Sequence, residues 1–113
     1  MSPMGEIDRA AFVALQDAAG PEFVGELIDA FLEEAPAMLA DLRDARAAGD
    51  EERFRRAAHS LKSNANTFGA LALGVLARGL ELDGIAAADD ARLAALEASY
   101  TDVRVVLLAL RDG

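Results

Sequence analysis

The chain has 113 residues, a length that fits one domain. It has no cysteine, which excludes a disulfide scaffold, a thiolate metal site, an iron–sulfur cluster and a cysteine nucleophile. One histidine excludes a multi-His metal centre, and a net charge of −9, from 20 acids against 11 bases, sets the surface against nucleic acid and anionic lipid. Alanine (26) and leucine (16) dominate, while valine, isoleucine and threonine together number only 11, so helices are favoured over strands. The N-terminus, Met1 to Ile7, lacks a basic-plus-apolar signal pattern, and no uncharged apolar stretch reaches the roughly 18 residues of a membrane span. These features predict a soluble cytoplasmic protein.

In chain order, residues 1–7 are expected to be flexible, and Asp8 can cap a short first helix over about 9–19, with Phe12 and Leu15 on one face. Gly20 stops that helix, and Pro21 suits the first position of the next, where its missing N–H is not needed. The second helix is predicted over 21–48, with Phe23, Leu27, Phe31, Met38, Leu42 and Ala45 lining one side at three- and four-residue steps. Pro36 lies inside this pattern and should kink or split it. Gly49 ends the second helix, Asp50 caps the third, and Glu51 and Glu52 complement the positive end of its dipole. The third helix is expected over 50–68 with its stop at Gly69, the fourth over 70–87 and the fifth over 91–111. Short turns between long amphipathic helices predict one all-α domain over 1–113: an antiparallel four-helix bundle with an additional short N-terminal helix.

The third helix carries two stripes. Phe54, Ala57, Ala58, Leu61, Ala65 and Phe68 fall within a narrow sector, which is the core face. Roughly 130° away on the same wheel lie His59, Lys62, Ser63 and Asn66, at i, i+3, i+4 and i+7, with Arg55 one turn earlier and Arg56 nearby. An acidic chain thus sets three bases around its single histidine, and a small serine one turn later leaves the imidazole open to an approaching molecule. A solvated surface histidine is the plain alternative, and spacing alone would not make a function.

The fourth helix offers a partner. His59 precedes Gly69 by ten residues and Glu81 follows it by twelve, so an antiparallel hairpin brings the two within about 3 Å of the same level. Gly74, Arg78 and Glu81 share a stripe beside the core positions Leu73, Leu76 and Leu80. A carboxylate beside an imidazole can hold one ring N–H, fix the tautomer and raise the basicity of the other nitrogen. An ordinary surface acid paired with Arg78 fits the spacing equally well.

The run Ala57-Ala58-His59-Ser60-Leu61-Lys62-Ser63, followed by Phe68-Gly69-Ala70 and then Leu80-Glu81, resembles the histidine-containing phosphotransfer (HPt) domain family. The stretch Phe31-Leu32-Glu33-Glu34-Ala35-Pro36 resembles the family's preceding helix, including its internal proline, and the likeness extends from about Asp8 to the C-terminus. The resemblance implies a four-helix bundle with an extra N-terminal helix. It implies a phosphoryl group carried on His59 and exchanged with aspartates of response-regulator receiver domains, directly or through a hybrid sensor histidine kinase. It further implies that Lys62 steadies the phosphoryl oxygens and that Ser63, where the family often has glycine, permits close docking. Glu81 would hold the imidazole Nδ1–H and leave Nε2 as nucleophile, separately from Lys62. Arg55, Arg56, Asn66 and Arg78 would belong to the docking surface.

The residues suit that chemistry. Neutral imidazole is a good nucleophile near neutral pH, and cations suit a doubly charged phosphoryl group and an acidic receiver pocket. No cofactor is expected in the chain itself. It offers no carboxylate cluster placed for Mg²⁺, so the metal is expected from the partner receiver. There is no Gly-rich phosphate loop and no room for an ATP-binding domain, and Arg56 stands where a di-iron bundle needs glutamate three residues before the histidine. The expectation is a monomeric phosphotransfer carrier rather than an enzyme, without nucleic-acid or membrane partners. Two alternatives remain open in the sequence: a helical interaction module without phosphotransfer (a degenerate HPt domain), and the dimerising half of a pseudo-kinase phosphotransferase.

Overall fold

The computed structural model of the chain describes residues 7–112. The expected flexibility of residues 1–7 therefore lies, apart from Ile7, outside the described residues. The elements are α1 (Arg9–Ala19), α2 (Pro21–Ala48), α3 (Glu51–Thr67), α4 (Leu71–Asp83), a single 3₁₀ turn (Ile85–Ala87) and α5 (Asp90–Asp112). Helices α2 to α5 form an antiparallel four-helix bundle, and α1 packs on α2 and α3 at one end. The described residues contain no strand, and none of their helices is long and apolar enough to cross a membrane.

Local chemistry sets most of the boundaries. At the end of α2, Gly49 takes the left-handed conformation; its N–H reaches the Arg46 carbonyl at 3.2 Å and the Asp50 N–H reaches the Ala45 carbonyl at 2.9 Å. This is the double bond of a Schellman cap, which satisfies carbonyls that the helix end would orphan. The same pair recurs after α3, where Gly69 and Ala70 donate to the Asn66 and Ala65 carbonyls at 3.0 and 2.8 Å. Side chains cap two helix starts: Asp50 accepts from the Arg53 N–H at 3.1 Å, and Asp89 accepts from the Arg92 N–H at 2.8 Å.

Three details differ from the sequence expectation, and a fourth, at Pro36, narrows what the sequence left open. Asp8 occupies the cap position of α1, but its side chain makes no cap bond; its backbone N–H donates to the Gly69 carbonyl at 2.7 Å instead. On α2 the buried residues are Val24, Ile28, Phe31, Ala35, Leu42 and Ala45, whereas Phe23 is 52% exposed and Leu27 and Met38 are only partly buried. The N-terminal half of the stripe is thus rotated by one residue. Pro36 does not split α2, which is helical from Pro21 to Ala48. Its missing N–H frees the Leu32 carbonyl, and the Tyr100 hydroxyl of α5 donates to that oxygen at 3.4 Å, so a long-range bond answers the gap. Lastly, α4 stops at Asp83 rather than Ala87. Gly84 sits at φ +77°, ψ −175°, a region that only glycine enters easily.

The core runs the length of the bundle. Phe31 stacks on Phe68 with ring centroids 5.2 Å apart and meets Tyr100 edge-on at 6.0 Å, joining α2 to the α3–α4 turn and to α5. Every residue of the expected core face of α3 is buried. Ion pairs lace the rims of α2 and α5: Arg43 grips Glu97 through two contacts, the Nε one at 2.6 Å, Arg46 meets Asp90 at 2.7 Å, and Arg111 pairs with Asp29. Leu61 is fully buried and His59 exposed. Leu61→Ala should cost about 2–5 kcal/mol in chemical denaturation. His59→Gln should stay within about 0.5 kcal/mol. The opposite ranking would overturn this assignment of the two faces of α3.

Candidate functional site

The site lies along the seam between α3 and α4. On α3 the polar stripe runs Glu51, Arg55, His59, Lys62, Asn66, at steps of three and four residues that keep it on one side of the helix. The core face anchors that helix in rotation, so the stripe cannot turn inward without exposing Phe54 and Leu61. The turn at Gly69 then folds α4 back antiparallel and sets Glu81 beside His59.

The contacts at that level are specific. His59 Nδ1 lies 2.8 Å from Glu81 Oε2, and Lys62 Nζ donates to Glu81 Oε1 at 2.8 Å. One carboxylate therefore serves two cationic or hydrogen-bonding partners, one oxygen each. Their environments differ: the imidazole is 57% exposed, while the Lys62 and Glu81 side chains are only 23% and 22% exposed. Glu81 pairs with His59 and Lys62, not with Arg78. The Lys62 hydrogen bond, followed by the weaker pull of His59, holds the Glu81 carboxyl below the ordinary carboxylate range against the opposing effect of burial. With Nδ1 occupied by the carboxylate, the exposed imidazole has Nε2 available for reaction.

The other residues of the expected site separate into groups. Arg55 Nη2 is 3.4 Å from Glu51 Oε1 and Arg56 Nη1 is 3.7 Å from Glu52 Oε1, so two of the three bases around the histidine already have acidic neighbours one turn back. Ser63 is exposed one turn beyond His59. Asn66 lies against α4: a Cβ at Gly74 would collide with its Oδ1. Arg78 is exposed and has no ion-pair partner among the described residues. Lys62 and Glu81 thus join His59 directly, and Asn66 and Gly74 meet two turns away. Sequence reasoning missed the engagement of Glu51, whose Oε2 accepts the Ile85 N–H at 3.0 Å across the seam. The signal for that contact was the glycine at 84, which was read as part of a longer helix. No group of three or more His, Cys, Asp or Glu side chains among the described residues is placed to hold a metal ion.

Comparison with known proteins matches this geometry to one family. The model of the Hpt domain family matches residues 26–106, from within α2 to within α5. The chain is also similar to a crystal structure of histidine-containing phosphotransfer protein B (HptB) from Pseudomonas aeruginosa PAO1, at 26% identity and a TM-score of 0.85 over 94% of each chain. No curated protein matches the chain.

Because Lys62 is the largest cause of the lowered Glu81 pKa, a carbon-13 titration of the Glu81 carboxyl should give a midpoint below about 4.3, the ordinary glutamate value. Lys62→Met should move it upward. A carboxyl whose folded pKa is lowered stabilises the fold above its ordinary pKa, and that contribution is lost as pH falls through the lowered one. The site should therefore keep its Glu81 contacts down into the acidic range. A midpoint unchanged by Lys62→Met would mean that the Lys62–Glu81 bond does not persist in solution.

Proposed function

The chain belongs to the Hpt domain family, and on that premise we propose that it carries a phosphoryl group on His59, exchanging it with an aspartate of a response-regulator receiver domain. The contact that carries this reading is His59 Nδ1 on Glu81 Oε2 at 2.8 Å, with the opposite ring nitrogen left for reaction. In the receiving direction, Nε2 attacks the phosphorus of the receiver's aspartyl phosphate. An N–P bond forms, the bond between phosphorus and the bridging oxygen of the aspartyl carboxyl breaks, and the aspartate leaves as a carboxylate. The imidazole becomes cationic as its electron pair is spent, and the Glu81 carboxylate beside Nδ1–H is placed to stabilise that charge. The step is reversible, so the same groups serve the donating direction.

Lys62 supplies the second half. Its ammonium carries three donors, and the bond to Glu81 uses one of them. The remaining donors are available to phosphoryl oxygens one helical turn from His59 Nε2. Lys62 and Glu81, to which the sequence reading gives different roles, then act through one hydrogen-bonded unit. Ser63 keeps the approach to the imidazole low. Arg78, unpaired among the described residues, together with Arg55 and Arg56, suits the carboxylate-rich pocket of a receiver. The Mg²⁺ that phosphoryl transfer needs belongs to the receiver in this scheme.

The similarity to a histidine-containing phosphotransfer protein supports the same reading. A carrier of this kind works as a cytoplasmic monomer between a hybrid sensor kinase and a response regulator. A carboxylate seated on one nitrogen of an exposed imidazole favours this reading over an interaction module that never bears a phosphoryl group.

Incubation with phosphorylated receiver domains should label the protein with acid-labile phosphate, and His59→Gln should abolish the label. Acid-stable label on serine would overturn the assignment. Lys62→Ala and Glu81→Ala should each slow transfer by about 10- to 100-fold, the range typical of groups that orient or support a reactive imidazole. The double variant should lose less than the product of the two, because residues joined in one network do not act additively. Full additivity would show that the two side chains act separately.

A further inference from the structure

Glu81 sits in the last turn of α4, three residues before Gly84. Helix ends fray, and a carboxylate on a frayed turn would not hold an imidazole in place. The structure contains a device that answers this weakness. Glu51, in the first turn of α3, extends its carboxylate across the seam to the residues that follow α4. Its Oε2 accepts the Ile85 N–H at 3.0 Å, and its Oε1 lies 3.4 Å from Arg55 Nη2. The carboxylate passes directly over Gly84, where a Cβ would collide with Glu51 Oε1 and come within 3.0 Å of Arg55 Nη2. Gly84 thus does two things: it takes the φ of +77° that ends the helix, and it leaves room for the acid that fastens that end.

We infer that Glu51 is a positioning residue for the phosphoacceptor: by binding the backbone just beyond α4, it keeps the turn bearing Glu81 wound and seated against His59. The inference rests on the reading of Glu81 given above. Two features make the coupling physical. Glu51 and His59 are two turns apart on the same side of α3, so Ile85 and Glu81 are held to a single rigid helix. The bond to Ile85 is charge-assisted and stronger than a neutral one. From the opposite side, Arg92 of α5 reaches Asp83 at 3.1 Å, which closes the last turn of α4 between two neighbours. Arg55, besides its place on the docking side, steadies the acid that holds the turn.

The test uses the full chain and reads two signals. Amide hydrogen exchange at Leu80, Glu81, Leu82 and Asp83 reports the winding of the turn. Nitrogen-15 shifts of the single imidazole report the tautomer. Glu51→Ala should speed exchange at these four amides by about tenfold or more. It should also move the imidazole shifts toward those of Glu81→Gln. Glu51→Gln keeps an acceptor for the Ile85 N–H and should restore most of both signals. Glu52→Ala removes the same charge from the same turn and should change neither. Faster exchange with unchanged imidazole shifts would overturn the positioning role, leaving Glu51 as a helix-end clamp only. Unchanged exchange would overturn the clamp itself. If Glu81→Gln leaves the imidazole shifts where they are, the reading of Glu81 fails, and that failure is separate because the exchange rates still report on Glu51.

Discussion

The left-handed turn at Gly69 is the constraint on which the site depends. Its φ of +79° closes the Schellman cap of α3 and reverses the chain within three residues. Its carbonyl accepts the Asp8 N–H at 2.7 Å, and a Cβ there would come within 2.7 Å of the Asp8 carbonyl oxygen, so a side chain would have to displace backbone. The turn is therefore held from both sides: by the cap within the hairpin and by α1 packed against it. With that pivot fixed, each step along α3 has one counterpart on α4. Asn66 meets Gly74, Lys62 and His59 meet Glu81, and Glu51 meets Gly84 and Ile85. Glycines mark both ends of this ladder, Gly74 on α4 and Gly84 just beyond it, because the α3 side chains there lie against the backbone.

Charge is distributed with the same economy. The chain carries 20 acids against 11 bases, so most bases can find an acidic partner within the fold. Arg43, Arg46 and Arg111 join α2 to α5, Arg53 joins α3 to Asp41 of α2, and Arg92 joins α5 to α4. Such exposed pairs each contribute little to stability, but they orient long side chains and keep positive charge from gathering elsewhere. What remains around His59 is a selected set: a mostly covered lysine on a mostly covered carboxylate, and Arg78 free among the described residues.

The sequence was most informative where one face of a helix is apolar without ambiguity. On α3 the mean character is polar, and the apolar residues occupy a single sector, so both the core face and the outward His59 stripe could be read from spacing. On α2 the pairs Phe23–Val24 and Leu27–Ile28 are apolar at adjacent positions. Periodicity cannot tell which member faces inward; packing against α1 and α5 decides it. The end of α4 was hidden for a different reason. Ile85, Ala86 and Ala87 have good helix propensity, and the acceptor that draws Ile85 out of the helix comes from Glu51, 34 residues earlier. The Tyr100–Leu32 bond that answers the donor missing at Pro36 is equally remote, spanning 68 residues. Local boundaries and stripes are written locally, whereas the contacts that complete the site are tertiary.

The shared carboxylate has a consequence for the loaded state of the proposed carrier. A phosphoryl group adds about −1.5 to −2 of charge at neutral pH. Arriving at His59, it would stand near the ionised Glu81, whose pKa the Lys62 bond lowers further. Two like charges close together in a partly covered site repel, and only a cation between them relieves this. In the proposed carrier the imidazolium formed on transfer would stand between the two, and Lys62, which already lies against Glu81 one turn from the imidazole, would add a second cation beside them. The lysine charge would thus serve in both states of the proposed carrier: in the empty protein it binds and orients the Glu81 carboxylate beside the imidazole, and in the loaded protein it would offset part of the added negative charge. The same reasoning explains why the lysine is mostly covered and the histidine is not. The lysine acts through fixed neighbours and gains strength from a lower local dielectric, while the imidazole has to reach a partner's phosphorus and needs open solvent to do so.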